Sequence, residues 1–77
     1  MKLKYVMIDE SYPIIFTECH AHVDFKCVGN ITSAGFIMFY ADEKGNQKCS
    51  VYGRSVSLNL ESHKLDENII NHCLSEY

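Results

Sequence analysis

The residues best suited to chemistry form one short run near the start of the chain, CHAHVD, which is followed by a further cysteine. Its members with metal-ligand chemistry are Cys19, His20, His22, Asp24 and Cys27. Thiolate, imidazole and carboxylate are groups that hold zinc in proteins, so the run could supply part of a structural zinc site. The remaining ligands would have to be distant, and only His72 and Cys73 could serve as that pair. We favour a polar helix face with two core cysteines, and the sequence predicts neither a metal nor another cofactor.

The spacing H-x-H-x-D in this run resembles the opening of the metal motif in metallo-β-lactamase-like hydrolases. In that family the motif continues with a histidine after the aspartate, whereas Phe25 follows Asp24 here. The other ligands of those enzymes stand on a scaffold several times longer than 77 residues. The sequence therefore argues against a hydrolase of this class.

A thiolate activated by a neighbouring imidazole is a second chemistry that the composition allows. The chain has four cysteines and four histidines, but its sequence places no thiol beside a particular imidazole. The segment GRSVS, which starts at Gly53, lacks the second glycine of the G-x-S-x-G nucleophile elbow and leads into more strand. Cysteines in so small a domain are typical of space-filling side chains, so the protein is predicted not to be an enzyme.

Two further segments, 32–35 and 52–57, combine small hydroxyl residues with glycine. Such residues let a ligand or another chain approach the backbone closely, and an arginine near a tyrosine could grip an anionic or planar group. The predicted ligand-binding residues are therefore Ser33, Tyr52, Arg54 and Ser55. In the alternative interpretation these residues only relieve crowding between strands or point to water.

The composition narrows the possible partners and the compartment. Seven basic against ten acidic residues give a formal net charge of −3 without a basic run, so nucleic acid is not an expected partner. The longest apolar run, 34–41, is far shorter than the ~20 residues that span a bilayer, so no membrane partner is expected. The start of the chain lacks a secretory apolar region, which predicts a cytoplasmic protein with reduced thiols. A chain of this length is expected to form one domain, residues 1–77.

The elements that must position these residues follow from hydrophobic periodicity. Alternating apolar residues in 3–7 and β-forming residues in 12–17 predict two strands joined by a tight turn, the first of them half-buried. Segment 18–29 fits either a short helix or a further strand. We favour the helix, because glycine followed by asparagine at its end is a typical helix stop.

The middle of the chain predicts a long antiparallel hairpin. Residues 31–41 are apolar on both faces, which is typical of a central strand, and Ile31 is expected on the same face as Ile37. The turn residues 42–46 then lead into a return strand over 47–52. In the segment that follows, the apolar positions change from odd to even numbers, at Val56, Leu58 and Leu60. This change predicts a bulge or bend at Gly53–Arg54.

The end of the chain predicts an amphipathic helix. Residues 65–77 carry apolar side chains at helical spacing, with Asp66 and Glu67 in the first turn, where the helix dipole favours acids. The predicted fold is therefore of the α+β class, an antiparallel sheet of four or five strands in the order β-β-α-β-β(-β)-α with its helices on one face.

Three short motifs occur in a suggestive order: H-x-D at His22 and Asp24, S-A-G-F at 33–36 and Y-G-x-S-x-S-L at 52–58. This order resembles a group of small bacterial and phage-type proteins that have no assigned function, and it covers about half of the chain. The resemblance implies a bacterial or mobile-element setting. By analogy of size, it implies an accessory phage protein that inhibits or sequesters a host component.

These observations together predict a small, non-enzymatic binding protein that forms homo-oligomers and binds a protein partner. Five tyrosines without a tryptophan favour a binding surface, because tyrosine adds contact area and a hydrogen bond at low entropy cost. Two alternatives stay open. One is a sponge for a small nucleotide-like signal that uses the predicted ligand-binding residues, and the other is a domain stabilised by zinc.

Overall fold

The computed structural model describes residues 2–75 of the chain. Its elements are β1 (Leu3–Ile8), β2 (Tyr12–Thr17), a 3₁₀ helix (His22–Phe25), β3 (Ile31–Ala41), β4 (Gln47–Tyr52), β5 (Arg54–Ser55), β6 (Leu60–Glu61) and α1 (Lys64–Ser75). The predicted α+β class is confirmed. Of the C-terminal helix predicted over 65–77, the part within the described residues is also confirmed, and Tyr77 lies outside them.

The main sheet has four antiparallel strands in the order β2-β1-β3-β4, and β5 pairs with β6 in a separate small hairpin. The prediction that the long strand is central is confirmed, since β3 pairs with β1 on one side and β4 on the other. The half-buried character predicted for the first strand is wrong. Tyr5, Val6 and Met7 are all fully buried, because β1 lies inside the sheet and is covered on both faces.

Each face of the main sheet carries its own apolar cluster. The helix face is the side covered by α1, and its buried residues are Tyr5, Met7, Ile37, Cys49 and Ile70. The hairpin face is the opposite side, and its buried residues are Val6, Ile8, Phe16 and Ala34. Phe25, Leu58 and Leu60 pack against this second cluster.

The prediction that the helices share one face is wrong. Phe25 of the 3₁₀ helix packs against Phe16 on the hairpin face, with ring centroids 4.4 Å apart. The α1 residue Ile70 belongs to the cluster on the helix face. The cause is local, because the chain leaves β2 close to Phe16, whose side chain points away from α1.

Segment 18–29 is helical only over the four residues of the 3₁₀ helix. A side-chain cap supports this turn, since the Asp24 carboxylate accepts a hydrogen bond from the Ala21 N–H at 2.9 Å. The two cysteines that flank it, Cys19 and Cys27, are exposed instead of filling the core as predicted. So short a turn has no continuous apolar stripe that could bury both thiols.

A β-bulge at Thr32 separates the two ends of β3. Ser33 pairs with Met7, whereas Ile31 pairs with Ile8, so Thr32 is the extra residue. Its hydroxyl donates to the Met7 carbonyl at 3.2 Å. The bulge turns Ile31 towards the hairpin face, which corrects the prediction that it shares a face with Ile37.

The change of phase after β4 marks a corner and not a bulge within one strand. Gly53 has φ of +73°. Beyond it the chain leaves the main sheet and forms the β5–β6 hairpin, which covers the hairpin face. Leu58 and Leu60 pack inward as predicted. Val56 is 82% exposed, because it lies in the tight turn at the hairpin tip, so its predicted inward position is wrong.

We expect Gly53→Val to destabilise the protein by about 2 kcal/mol or more, since a β-branched residue is strained at positive φ. A Cβ atom there would also lie 2.9 Å from the Phe36 ring. The control is Gly45→Val, which has a similar φ of +81° but open space around it. Urea denaturation compares the two variants. Equal losses of stability would show that the contact with Phe36 is unimportant.

Candidate functional site

The most unusual polar group in the fold is the Asp66 carboxylate, which is only 4% exposed. Its Oδ2 atom accepts hydrogen bonds from the Tyr5 hydroxyl and the Ser33 hydroxyl, each at 2.6 Å. These short distances are typical of hydroxyl groups that donate to a charged carboxylate. Asp66 therefore connects α1 directly to the neighbouring strands β1 and β3.

The start of α1 adds a third donor to the same oxygen. The His63 backbone N–H donates to Asp66 Oδ2 at 3.3 Å and lies 3.4 Å from the Tyr5 hydroxyl oxygen, which also accepts it. An acid at this helix position that reaches back to the residue before the helix is half of a capping box. Asp66 thus caps the start of α1 and anchors the helix to the sheet with the same oxygen atom.

A cavity of about 280 Å³ opens beside this network. Ser33 and Asp66 lie on its polar side, Leu65 and Ile69 form an apolar wall, and Glu10 borders it from the β1–β2 turn. Thr32 and His63 complete the lining. The Glu10 N–H donates to the Thr32 hydroxyl at 3.0 Å, so the bulge of β3 holds the turn that carries Glu10. The cavity is slightly smaller than the ~300 Å³ at which pockets for drug-sized ligands begin.

Asp66 has no cationic partner among residues 2–75. An ion pair joins His20 and Asp24 at the surface, at 4.0 Å, and does not involve Asp66. Buried carboxylates are rare unless a cation or a metal balances them. Here hydroxyl and backbone donors at the start of α1, where the helix dipole favours an acid, take the place of a cationic side chain.

Two buried groups of the helix face hold their protons tightly. Burial raises the pKa of the Cys49 thiol from 9.0 to about 11, and the nearby Glu67 charge adds to this rise. Burial also raises the pKa of the Tyr5 hydroxyl above its usual 10.0, with further contributions from its hydrogen bond to Asp66 and from the charge of that carboxylate. Neither group can ionise easily without opening the fold.

We expect the free energy of unfolding to fall at alkaline pH. Both groups have a higher pKa in the folded state, so their stabilising effect is complete below pH 9.0 and is lost as pH rises towards about 11 and beyond. Urea denaturation over this range measures the effect. In Cys49→Ala the fall that begins near pH 9.0 should disappear, and the fall that remains should begin only near pH 10.0, from Tyr5. An unchanged slope in that variant would contradict the assignment to Cys49.

The structure does not bring the four predicted ligand-binding residues together. Ser33 is buried on the helix face, where it lines the cavity and binds Asp66. Ser55 is 1% exposed, and its hydroxyl accepts the Leu58 N–H at 3.3 Å, which stabilises the hairpin turn. Tyr52 stacks on the Phe36 ring at 5.7 Å between centroids, on the other side of the sheet from Ser33.

Arg54 is exposed, and its guanidinium donates to the Asn59 side chain at 3.2 Å within the same hairpin. It does not face the cavity that Ser33 lines. Of the four residues, only Ser33 lines this cavity, and the structure does not bring all four into one site. Sequence reasoning missed Tyr5, His63 and Asp66. A signal was present for Asp66, since it precedes Ile70 by four residues and so stands on the apolar stripe of α1.

The run CHAHVD does not form a metal centre in the described part of the chain. No three His, Cys, Asp or Glu side chains of residues 2–75 lie close enough to hold an ion. His22 is 5% exposed, and its Nε2 lies 2.8 Å from the Gly35 carbonyl oxygen, to which it donates. Its ring also contacts Phe16 and Phe36 edge-on. This histidine therefore fastens the 3₁₀ helix to the sheet.

The two edge strands of the main sheet, β4 and β2, differ in whether their outward-facing N–H groups are hydrogen-bonded. On β4, the Cys49 N–H donates to the Asn71 side chain at 3.0 Å and the Val51 N–H donates to the Glu67 carboxylate at 2.9 Å. Both acceptors come from α1, so the helix closes this edge to other strands. The sequence predicts for Glu67 only a favourable interaction with the helix dipole, whereas the structure shows that its carboxylate also binds β4.

The outer edge of β2 has no such cover among residues 2–75, and no strand pairs with it there. Its sequence YPIIFT contains no charged residue. Tyr12 is 64% exposed and Ile15 is 39% exposed. Uncharged, uncovered edge strands are sites at which other chains add a strand. β2 is therefore a second candidate functional surface.

Comparisons with protein-family models, with curated proteins and with solved structures found no match to this chain. The relation to small phage-type proteins that the motifs suggest therefore stays a prediction. The site is defined by its geometry alone.

Proposed function

We propose that this chain is a small, non-enzymatic binding protein that associates through the open edge of β2, with a second copy of itself as the partner. The observation that carries the proposal is the difference between the two edges. Side chains of α1 accept the outward-facing N–H groups of Cys49 and Val51 on β4. On β2, which pairs with β1 on its inner side, no strand within residues 2–75 pairs with the outer edge. Antiparallel pairing of two β2 strands would join the two sheets into one.

The position of Pro13 supports an outward-facing row of donors on β2. Proline is found in a strand where its nitrogen faces away from the neighbouring strand. Residues two apart direct their N–H groups to the same side, so those of Ile15 and Thr17 face the open edge as well. Together with the backbone carbonyl groups on this edge, they could form hydrogen bonds with a second β2 strand.

Charges near the strand ends give the association a recognisable signature. Glu10 precedes β2 and Glu18 follows it. Antiparallel pairing would bring Glu18 of one copy towards Glu10 of the other, and the like charges repel. Salt screens this repulsion, so added salt should strengthen the dimer. A six-residue strand gives a small interface, so we expect a dimer that dissociates on dilution.

The test is sedimentation equilibrium of the full chain over a range of concentrations. We expect a monomer–dimer equilibrium, and we expect Ile15→Lys to weaken it at least tenfold, because a charge on the edge opposes strand addition. The matched control is Val56→Lys, which introduces the same charge at an exposed valine on the hairpin tip. A strict monomer at all concentrations, or equal effects of the two variants, would overturn the proposal.

We further propose that the protein acts in the cytoplasm. The described residues include no helix with the length and hydropathy needed to cross a lipid bilayer. All four cysteines are free, which supports a reducing compartment such as the cytoplasm. An accessory phage role, in which β2 captures an edge strand of a host protein, is the form of this function that the sequence resemblance suggests. A stable complex with a host protein in place of the dimer would favour it.

A further inference from the structure

We infer that the cavity at the start of α1 binds a small organic ammonium ion, with Asp66 as the counter-charge. This inference does not rest on the proposed self-association: Asp66 lies on the helix face near the start of α1, whereas the association uses the outer edge of β2. Glu10 is the residue that the two sites have in common, so the binding test is run at a concentration at which the chain is monomeric. It rests on the shape of the cavity and on the charges that surround it.

Asp66 is 96% removed from solvent, yet no cation of residues 2–75 lies within ion-pair distance of it. The three hydrogen bonds described above all use Oδ2, so none of them involves Oδ1. An ammonium group that reached this carboxylate from the cavity would supply a further donor and a full positive charge, which the donors of the protein do not carry.

The lining of the cavity combines acidic, hydroxyl and apolar side chains. Glu10 adds a second carboxylate, and the hydroxyl groups of Thr32 and Ser33 can accept hydrogen bonds from an ammonium group. Leu65 and Ile69 offer an apolar wall to a short alkyl chain. The lining has two carboxylates against one imidazole, that of His63, and no lysine or arginine, which favours a cation over carboxylates and phosphates as the ligand.

The volume of the cavity limits the size of the ligand. A cavity of about 280 Å³ suits a ligand smaller than a typical drug molecule. A primary amine with a chain of a few carbon atoms combines the charge, the apolar part and the volume that the lining requires. We therefore take the n-butylammonium ion as the probe.

The experiment is a titration of the ¹⁵N-labelled full chain followed by amide chemical shifts. Butylammonium chloride should cause saturable shifts at Ser33, Asp66 and Ile69. 1-Butanol, which has the same chain without the charge, should bind at least fivefold more weakly, and butyrate should cause no shifts there. Equal shifts with butanol, shifts without saturation, or no shifts with the amine would overturn the inference.

A variant that keeps the fold makes the test specific. Glu10→Gln changes only an exposed side chain at the cavity and should weaken butylammonium binding about two- to fivefold, as expected for a partly screened charge. The control is Glu43→Gln, which changes an exposed side chain in the turn between β3 and β4. Glu43 does not line the cavity, so this variant should leave binding unchanged. If Glu10→Gln and Glu43→Gln bind the amine equally, the carboxylate at the cavity has no role and the inference fails.

Discussion

Replacing Asp66 by alanine is expected to lower the free energy of unfolding by about 3 to 5 kcal/mol, because two buried hydroxyl groups would each lose their acceptor at a cost of ~1–3 kcal/mol. Those groups belong to Tyr5 and Ser33, and the lost bonds are both 2.6 Å long. A domain of 77 residues has a total stability of about 4 to 12 kcal/mol. The variant should therefore lie close to the unfolding threshold.

Two further variants separate the network from a general effect of removing an acid. Asp66→Asn keeps the shape and one acceptor oxygen, so it should cost less than Asp66→Ala, about 1 to 2 kcal/mol. Glu43→Ala, at an exposed position, should be neutral within about 0.5 kcal/mol. Urea denaturation supplies all three values. A loss below 1 kcal/mol for Asp66→Ala would mean that the carboxylate does not hold α1 to the sheet.

Gly35→Ala is the second variant for which we expect a large effect, about 3 kcal/mol or more from overpacking. A Cβ atom at Gly35 would lie 2.7 Å from the Tyr52 carbonyl oxygen and 2.9 Å from the Ser62 Cβ atom. Neither neighbour is the flexible end of a side chain. Ser62 also fixes the base of the hairpin, since its N–H and its hydroxyl both donate to the Gly53 carbonyl.

A second substitution tests whether the contacts themselves are the cause. In the double variant Gly35→Ala with Ser62→Gly, one of the two close contacts is gone, so the double variant should lose less stability than the sum of the two single variants, even though Ser62→Gly alone removes a hydrogen bond. Thermal unfolding of the single and double variants measures this coupling. Strictly additive losses would show that the alanine acts elsewhere.

The sequence predicts the main elements of this fold well because their signals are local. The long hairpin of β3 and β4 follows from the apolar run over 31–41 and from the turn with glycine that leads into a return strand, and α1 follows from helical spacing of apolar residues. The polar residue within that spacing, Asp66, was available as a signal for a buried network. Its partners Tyr5 and Ser33 were not, since they lie 61 and 33 positions away in the chain.

The features that sequence reasoning missed depend on tertiary contacts. The extra residue at Thr32 has no turn signal of its own, so the change of face at Ile31 could not be predicted. The same holds for Glu67 and Asn71, whose role at the edge of β4 exists only once α1 has packed on the sheet. The sequence predicts Ser33 as a ligand residue from its size and hydroxyl group, and the structure places it in the lining of the cavity.

Hydrogen exchange of single backbone amides tests the proposed association at β2 most directly. The Val51 amide should be protected at every protein concentration, because the Glu67 carboxylate of the same chain accepts its hydrogen bond. The Ile15 amide should exchange quickly in dilute solution and become protected as concentration rises, since only a second chain can occupy it. A fast-exchanging Ile15 amide at the highest concentration would contradict the account.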